Sequence, residues 1–119
     1  MKIILDTNFL VDLVRFKVNI DSELSGNDLY VTDSIIFEIE KIAKRGTKES
    51  FLAKMALEYV KGKDLKILKS KEKDTDKSLL GYSKQGYAIA TNDRILKFKV
   101  KKEGGKVIYI RQKRYVVFE

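Results

Sequence analysis

The chain has 119 residues and a formal net charge of +8, and it contains neither cysteine nor histidine. This length suits one hydrophobic core, so we expect a single domain over residues 1–119 with a single site. The missing residue types exclude disulfides, thiol catalysis, Ser-His-Asp triads and nearly all zinc sites.

The positive charge and the lack of long apolar segments indicate where the protein works and what it meets. A basic chain concentrates nucleic acids and other polyanions near its surface. No apolar run is long enough to cross a bilayer, and no signal-type segment precedes the first predicted strand. We therefore expect a cytoplasmic protein with a polyanionic partner.

Short apolar runs alternate with helical patterns along the whole chain. Such alternation predicts an α/β fold, a three-layer α/β/α arrangement with a central parallel sheet of about five strands. The terminal "RYVVF" is expected to add an edge strand. The predicted strands are KIIL (2–5), LYV (29–31), LKIL (65–68), YAIAT (87–91) and KVIYI (106–110), and the predicted helices cover 8–16, 33–44, 48–61, 76–85 and 93–103.

Two of the predicted strands, the first and the fourth, end in clusters of Asp, Asn and Thr. Asp6 follows the first strand and Asp93 follows the fourth. Either cluster alone is explained by helix capping, because Asp, Asn and Thr accept hydrogen bonds from free N–H groups. The carboxyl ends of parallel strands lie at one edge of a sheet, however, and ligands bind there where the strand order reverses. Two such clusters therefore favour a shared site.

Two further acids are weaker candidates. Helical spacing places Glu38 slightly closer than Glu40 to the buried stripe of the second predicted helix. Asp76 lies in the first turn of its helix on the core-facing side, whereas Asp74 falls in the preceding loop. An acid in the first turn is also ordinary helix-dipole chemistry. Periodicity alone thus leaves both choices open.

Four carboxylates gathered at one edge would repel one another unless a cation lay between them. Without thiol or imidazole ligands, such a cluster selects Mg²⁺ or Mn²⁺ over zinc. A bound cation of this kind can lower the pKa of a water molecule and clamp the oxygens of a phosphodiester. The acids therefore favour metal-dependent phosphodiester hydrolysis.

The chain resembles a PIN-domain nuclease over essentially its whole length. The blocks that carry the resemblance are "ILDTNFLVDL", "VTDSIIFEIEKI", "TDKSLLGYSKQGYAIATNDRIL" and "VIYIRQKRYVVFE". The resemblance implies an endoribonuclease that uses four acids and one or two Mg²⁺ or Mn²⁺ ions, and that leaves a 5′-phosphate and a 3′-hydroxyl. It implies catalytic and metal-binding roles for Asp6, Glu38, Asp76 and Asp93, with Asn8, Thr91 and Asn92 as supporting polar groups.

One position departs from the family pattern. Where many relatives have a second acid directly after the third one, this chain has Lys77. A basic group there would weaken metal binding or contact phosphate. The sequence therefore leaves the number of metal ions open.

The resemblance allows two biological roles that share the same chemistry. The C-terminal block is similar to compact archaeal relatives of PIN proteins that process ribosomal RNA, and the small size suits VapC-type toxins, which would add an antitoxin partner. The family also implies a homodimer, for which Phe37, Phe51 and Tyr59 are candidate interface residues. The alternative is a non-catalytic RNA-binding factor in ribosome assembly that keeps the fold. A phosphoacceptor receiver domain is disfavoured, because the third predicted strand ends in Lys69-Ser70 rather than in an acid.

The C-terminal part of the chain is strongly basic. Between Arg94 and Arg114 it has nine Lys or Arg residues and one acid, Glu103. A solvated helix face would explain this composition, and so would a surface that follows phosphates beside the acidic residues. The nucleic-acid-binding candidates are Arg94, Lys97, Lys101 and Arg111.

Overall fold

The structure, a computed structural model, describes all residues 1–119 and contains one six-stranded sheet. Each predicted strand is present within one or two residues of its expected bounds, and the edge strand at the end of the chain is present as well. The strands are β1 (Lys2–Leu5), β2 (Asp28–Thr32), β3 (Lys66–Leu68), β4 (Ala88–Ala90), β5 (Val107–Arg111) and β6 (Tyr115–Phe118).

The strand order across the sheet is β3-β2-β1-β4-β5-β6. The first five strands are parallel, and β6 returns antiparallel to β5 through a tight turn. Leu5 is in register with Ala90, so the ends of β1 and β4 are adjacent. From β1 the chain adds β2 and β3 on one side of the sheet and then β4 and β5 on the other, so the strand order reverses between β1 and β4. An open α/β sheet binds its ligand at such a reversal.

Six helices connect the strands. The helices are α1 (Thr7–Arg15), α2 (Ile20–Glu23), α3 (Asp33–Lys44), α4 (Lys48–Gly62), α5 (Thr75–Lys84) and α6 (Arg94–Lys102). Five helices were predicted, and the short α2 was not. Right-handed crossovers place α1, α3 and α4 on one face of the sheet and α5 and α6 on the other, and the packing of α3 on α4 and of α5 on α6 agrees with this division. None of the helices is both long and apolar enough to cross a membrane.

The core lies on both sides of the central strands. All three apolar residues of β1 from Ile3 to Leu5 are fully buried, as is Ile89 of β4, which explains their nearly continuous apolar sequence. The run in β3 differs, because β3 is the edge strand and Ile67 is 60% exposed. An apolar run predicts a strand, but its burial depends on its place in the sheet.

Candidate active site

The four predicted acids line one cavity at the carboxyl edge of the sheet. This acidic cavity has a volume of about 440 Å³. Two of its acids, Asp6 and Asp93, follow the adjacent strands β1 and β4, and the other two, Glu38 and Asp76, come from α3 and α5. The polar clusters at the two strand ends therefore converge, as the parallel topology predicts.

Asp6 is the most buried of the four acids, with 6% of its surface exposed. It precedes α1 as its N-cap, and one carboxylate oxygen accepts a 2.8 Å hydrogen bond from the Thr7 N–H. Burial raises the pKa of the Asp6 carboxyl to about 6; hydrogen bonds from Thr91 and Thr7 oppose that rise, and the charges of Glu38 and Asp76 add to it. The ionised form of Asp6 is thus disfavoured by burial, and a nearby cation would stabilise it.

Glu38 is held by hydroxyl groups from two other helices. Thr7 Oγ1 donates to one carboxylate oxygen at 2.9 Å, and Thr75 Oγ1 donates to the other at 2.7 Å. Glu40, the competing candidate on α3, is exposed and does not line the cavity. The structure thus separates two acids that periodicity distinguished only weakly.

Asp76 lies in the first turn of α5 and faces the cavity, whereas Asp74 is the exposed N-cap of that helix and accepts a hydrogen bond from the Lys77 N–H at 3.2 Å. Burial raises the pKa of Asp76, and repulsion from Asp93 adds to the rise. The Lys77 side chain is exposed and is not part of the cavity wall.

The supporting polar residues form a network beneath the acids. Thr91, which is fully buried, donates a 2.8 Å hydrogen bond to Asp6. Asn8 accepts a 2.9 Å bond from the Asn92 N–H, and the Asn92 side-chain oxygen accepts a 2.9 Å bond from the Ile110 N–H on β5. The network therefore ties the ends of β1, β4 and β5 together.

Asp93 is the N-cap of α6. One of its carboxylate oxygens accepts hydrogen bonds from the N–H groups of Ile95 at 2.8 Å and Leu96 at 3.2 Å. Capping and a role in the cavity are compatible, because the side chain also lines the cavity wall. Asp93 therefore caps α6 and lines the acidic cavity at the same time.

Sequence reasoning missed several residues of the cavity. Arg15 is the one basic residue in its wall, and it pairs with Asp12 and Glu49. Asp12 also accepts a 2.8 Å hydrogen bond from the Asn92 side-chain amide. Asp12 and Arg15 follow the first acidic cluster at helical spacing, which was a usable signal, whereas nothing in the sequence connects Glu49 to this site.

The acids suit a hard cation by their chemistry, although the protein alone does not form a complete coordination shell. All the donors are oxygens, and two of the acids carry raised pKa values from burial and mutual repulsion. No three acidic side chains stand close enough together to coordinate one ion. Mg²⁺ ordinarily binds through one or two carboxylates and keeps several waters. The residues therefore fit an ion that is held partly through water.

The four predicted nucleic-acid-binding residues also come together. Arg94, Lys97 and Lys101 from α6 and Arg111 from β5 line a second hollow of about 610 Å³, which we call the basic pocket. The Lys97 ammonium lies 4.0 Å from the centre of the Tyr109 ring. Such contact with an aromatic ring stabilises the cation and orients it.

Comparison with known proteins supports the assignment of the fold. The solved structure of the PIN domain endonuclease Utp24 superposes with a TM-score of 0.81 at 23% identity, over 99% of this chain and 90% of that one. A domain of a functionally unknown protein from Methanocaldococcus jannaschii superposes with a TM-score of 0.68 at 16% identity, over 92% of this chain and 91% of that one.

Comparison of sequences identifies the family. Ribonuclease VapC4 from Methanocaldococcus jannaschii is 31% identical over 124 residues, which covers 96% of this chain and 93% of that protein. The family model described as a PIN like domain matches residues 3–113. The chain therefore belongs to the PIN-domain nuclease family.

Proposed function

We propose that this protein is an endoribonuclease that hydrolyses RNA phosphodiester bonds with the help of Mg²⁺ or Mn²⁺. The observation that carries the proposal is the convergence of Asp6, Glu38, Asp76 and Asp93 on one cavity at the strand-order reversal. The similarity to a protein named a ribonuclease supports RNA as the substrate.

The cation would be held by the buried Asp6 carboxylate together with Asp76, Asp93 or Glu38. When bound, it would supply positive charge to the phosphate and lower the pKa of a water molecule. The threonine hydroxyls on Glu38 and Asp6 would keep both carboxylates oriented toward it, as outer partners of metal ligands do.

The chain supplies the remaining groups for hydrolysis. Its proton acceptors in the cavity are carboxylates, because it contains no histidine or cysteine. A carboxylate with a raised pKa, such as Asp76, accepts a proton from water more readily than an exposed acid does. Arg15 would contact a phosphate oxygen once RNA enters, because its side chain lines the cavity and is 37% exposed.

The basic pocket would bind the RNA on one side of the cleavage position. Replacing Lys97, Lys101 and Arg111 together with glutamine should weaken RNA binding and reduce its salt dependence, because three phosphate contacts and their released counterions are lost. Unchanged affinity at low salt would contradict this assignment.

We favour a VapC-type toxin role over ribosomal RNA processing, because the similarity to Ribonuclease VapC4 extends over 96% of the chain. A small antitoxin protein is then the expected partner. Induced expression should arrest the growth of a host cell, and coexpression of a small gene encoded beside this one should restore growth. An arrest that persists with Asp6→Asn would contradict the toxin role.

A homodimer is also part of the proposal. Phe37 on α3 and Phe51 on α4 are 57% and 67% exposed, and their two helices pack against each other, so both rings are candidates for one apolar interface. Tyr59 is partly buried against the core and is the weaker interface candidate. Light scattering at several concentrations should give the dimer mass, and Phe51→Lys should lower it to the monomer mass.

The decisive test is cleavage of a structured RNA by purified protein with Mn²⁺, Mg²⁺ or EDTA. Asp6→Asn and Asp93→Asn should each lower the rate by about two orders of magnitude or more. Glu40→Gln and Asp74→Asn are matched controls, because each removes one acid that lies near the site in sequence but outside the cavity. Equal loss in the controls, or full cleavage by the site variants, would refute the nuclease site. RNA binding without cleavage under every metal would favour the assembly-factor alternative.

A further inference from the structure

The basic pocket already contains one negative group, the side chain of Glu119. This is the one acid among the residues that line the pocket. The Lys101 ammonium lies 3.3 Å from its carboxylate. Hydrogen bonding between Glu119 and Tyr109 raises the pKa of the tyrosine hydroxyl and lowers the pKa of the carboxyl. The carboxylate thus occupies Lys101, one of the cationic donors that an anionic ligand would use.

The backbone keeps Glu119 in this position. It continues the pairing of β6 with β5, where the Glu119 N–H donates to Val107 at 2.8 Å and the Val107 N–H donates back at 2.9 Å. The side chain is 42% exposed, and exposed ion pairs contribute little free energy. A phosphate with several strong acceptor oxygens can therefore displace the carboxylate without disturbing the strand.

A continuous surface connects the basic pocket with the acidic cavity. Asp93 belongs to the wall of the acidic cavity and also to a shallow hollow that it forms with Arg94, Ile95 and Phe98. Arg94 and Phe98 belong in turn to the wall of the basic pocket. From Asp93 to Lys101 the helical rise amounts to about 12 Å. This distance suits a strand that passes from one cavity to the other along α6.

Phe98 gives this path an aromatic surface. Its side chain is 65% exposed, and it lies along α6 between Arg94 and Lys101. Proteins that bind single-stranded nucleic acid combine cationic grooves with exposed aromatic rings on which bases stack. The charge and the aromatic ring in this path are the two components of such a surface.

We propose that the basic pocket is a binding subsite for single-stranded RNA, in which a phosphate displaces the Glu119 carboxylate from Lys101 and a base stacks on Phe98. This inference rests on the proposed function, because it takes RNA as the substrate class. Glu119 acts as an internal competitor of the strand and lowers its affinity for the pocket.

The charge part of the proposal is tested with Glu119→Gln and Glu103→Gln. Glu103 is a matched control, because it also pairs with one lysine, Lys84, its side chain is also 42% exposed, and it lies outside the pocket. Binding of a short single-stranded oligouridylate is measured by fluorescence anisotropy in EDTA at low salt. Glu119→Gln should tighten binding about three- to tenfold, and Glu103→Gln should have a clearly smaller effect. Equal effects would show that only net charge matters and would overturn the proposal.

The stacking part is tested with Phe98→Leu and Phe118→Leu. Both rings are exposed, at 65% and 46%, and Phe118 lines neither the path nor the basic pocket. Phe98→Leu should weaken binding about fivefold or more, while Phe118→Leu should leave it unchanged. Equal affinity of the two variants would overturn this part.

These binding measurements in EDTA separate the inference from the nuclease proposal. If Glu119→Gln and Glu103→Gln bind alike while the unmodified protein still cleaves RNA with Mn²⁺, the subsite is refuted and the nuclease stands. If Glu119→Gln alone binds tighter and the unmodified protein cleaves RNA with neither Mn²⁺ nor Mg²⁺, the subsite stands and the nuclease is refuted.

Discussion

Thr91 and Asp6 are 85 positions apart in the chain, yet the threonine hydroxyl lies 2.8 Å from the carboxylate and donates a hydrogen bond to it. Thr91 follows β4 directly and Asp6 follows β1, so the bond joins the ends of the two strands where the sheet order reverses. It connects the polar clusters that the sequence placed at separate strand ends.

Replacing Asp6 with asparagine should stabilise the metal-free protein at neutral pH. The pKa of Asp6 is raised from 3.8 to about 6, so between these values the folded state binds more protons than the unfolded state, and stability falls as pH rises. Above pH 6 the ionised Asp6 lowers the free energy of unfolding by about 3 kcal/mol. Urea unfolding in EDTA should therefore show Asp6→Asn to be more stable than the unmodified protein near pH 7.5, and nearly equal to it below pH 4. The exposed-acid variant Glu40→Gln should show no such pH-dependent gain, and a loss of stability in Asp6→Asn at pH 7.5 would contradict the raised pKa.

Replacing Thr91 with valine should lower the stability of the protein and, in addition, weaken its binding of metal. Valine keeps the shape but removes the bonds to Asp6 and to the Asp93 N–H, so we expect a loss of about 1–2 kcal/mol and a Mn²⁺ affinity about tenfold to a hundredfold lower. The stabilisation of the melting temperature by added Mn²⁺ measures the second effect. The matched control is Thr32→Val, another fully buried threonine at a strand end, whose hydroxyl caps α3. The control should lose stability and keep its response to Mn²⁺; the same loss of response in both would point to general misfolding.

Replacing Thr75 with valine should lower the cleavage rate by freeing one oxygen of Glu38. The Thr75 hydroxyl donates to that oxygen at 2.7 Å, and partners of this kind orient carboxylates that bind metals. We expect a reduction of about tenfold in kcat, with KM for RNA nearly unchanged. Thr75→Ser keeps the hydroxyl and should restore most of the rate. If serine and valine behave alike, the hydroxyl does not position Glu38.

Replacing Gly105 with alanine should destabilise the protein, whereas Gly62→Ala should not. A Cβ at Gly105 would lie 2.2 Å from Ser83 Oγ and 2.7 Å from a methyl group of Val100, so the join between α6 and β5 would have to shift, at a cost of about 1–3 kcal/mol. A Cβ at Gly62, at the end of α4, would meet nothing within 4 Å. Thermal unfolding of the two variants measures the difference. Similar melting temperatures would show that the close approach at Gly105 is easily relaxed.

The sequence predicted the features that depend on periodicity and on rules of parallel sheets. The alternation of strands and helices and the adjacency of Asp6 and Asp93 follow from such rules. The two acids contributed by helices, Glu38 and Asp76, were harder to predict from periodicity. For the first of them, Glu38 and Glu40 flank the same buried stripe, and only the packing of α3 decides which one faces the cavity.

Other features depend on tertiary distances that no local pattern encodes. The hydroxyl of Thr75 reaches Glu38 from a different helix, and Glu119 reaches Lys101 only because β6 turns back along β5. Exposure of Ile67 likewise depends on β3 being an edge strand. Each contact requires the relative positions of two elements, which sequence spacing does not supply.

The position of β4 between β1 and β5 sets the order in which the acidic cavity is completed. The strands β1, β2 and β3 all precede β4 in the chain, but one wall of the cavity is missing until Asp93 has followed β4 into the sheet. A chain that ended before β4 would therefore contain Asp6, Glu38 and Asp76 without the complete cavity.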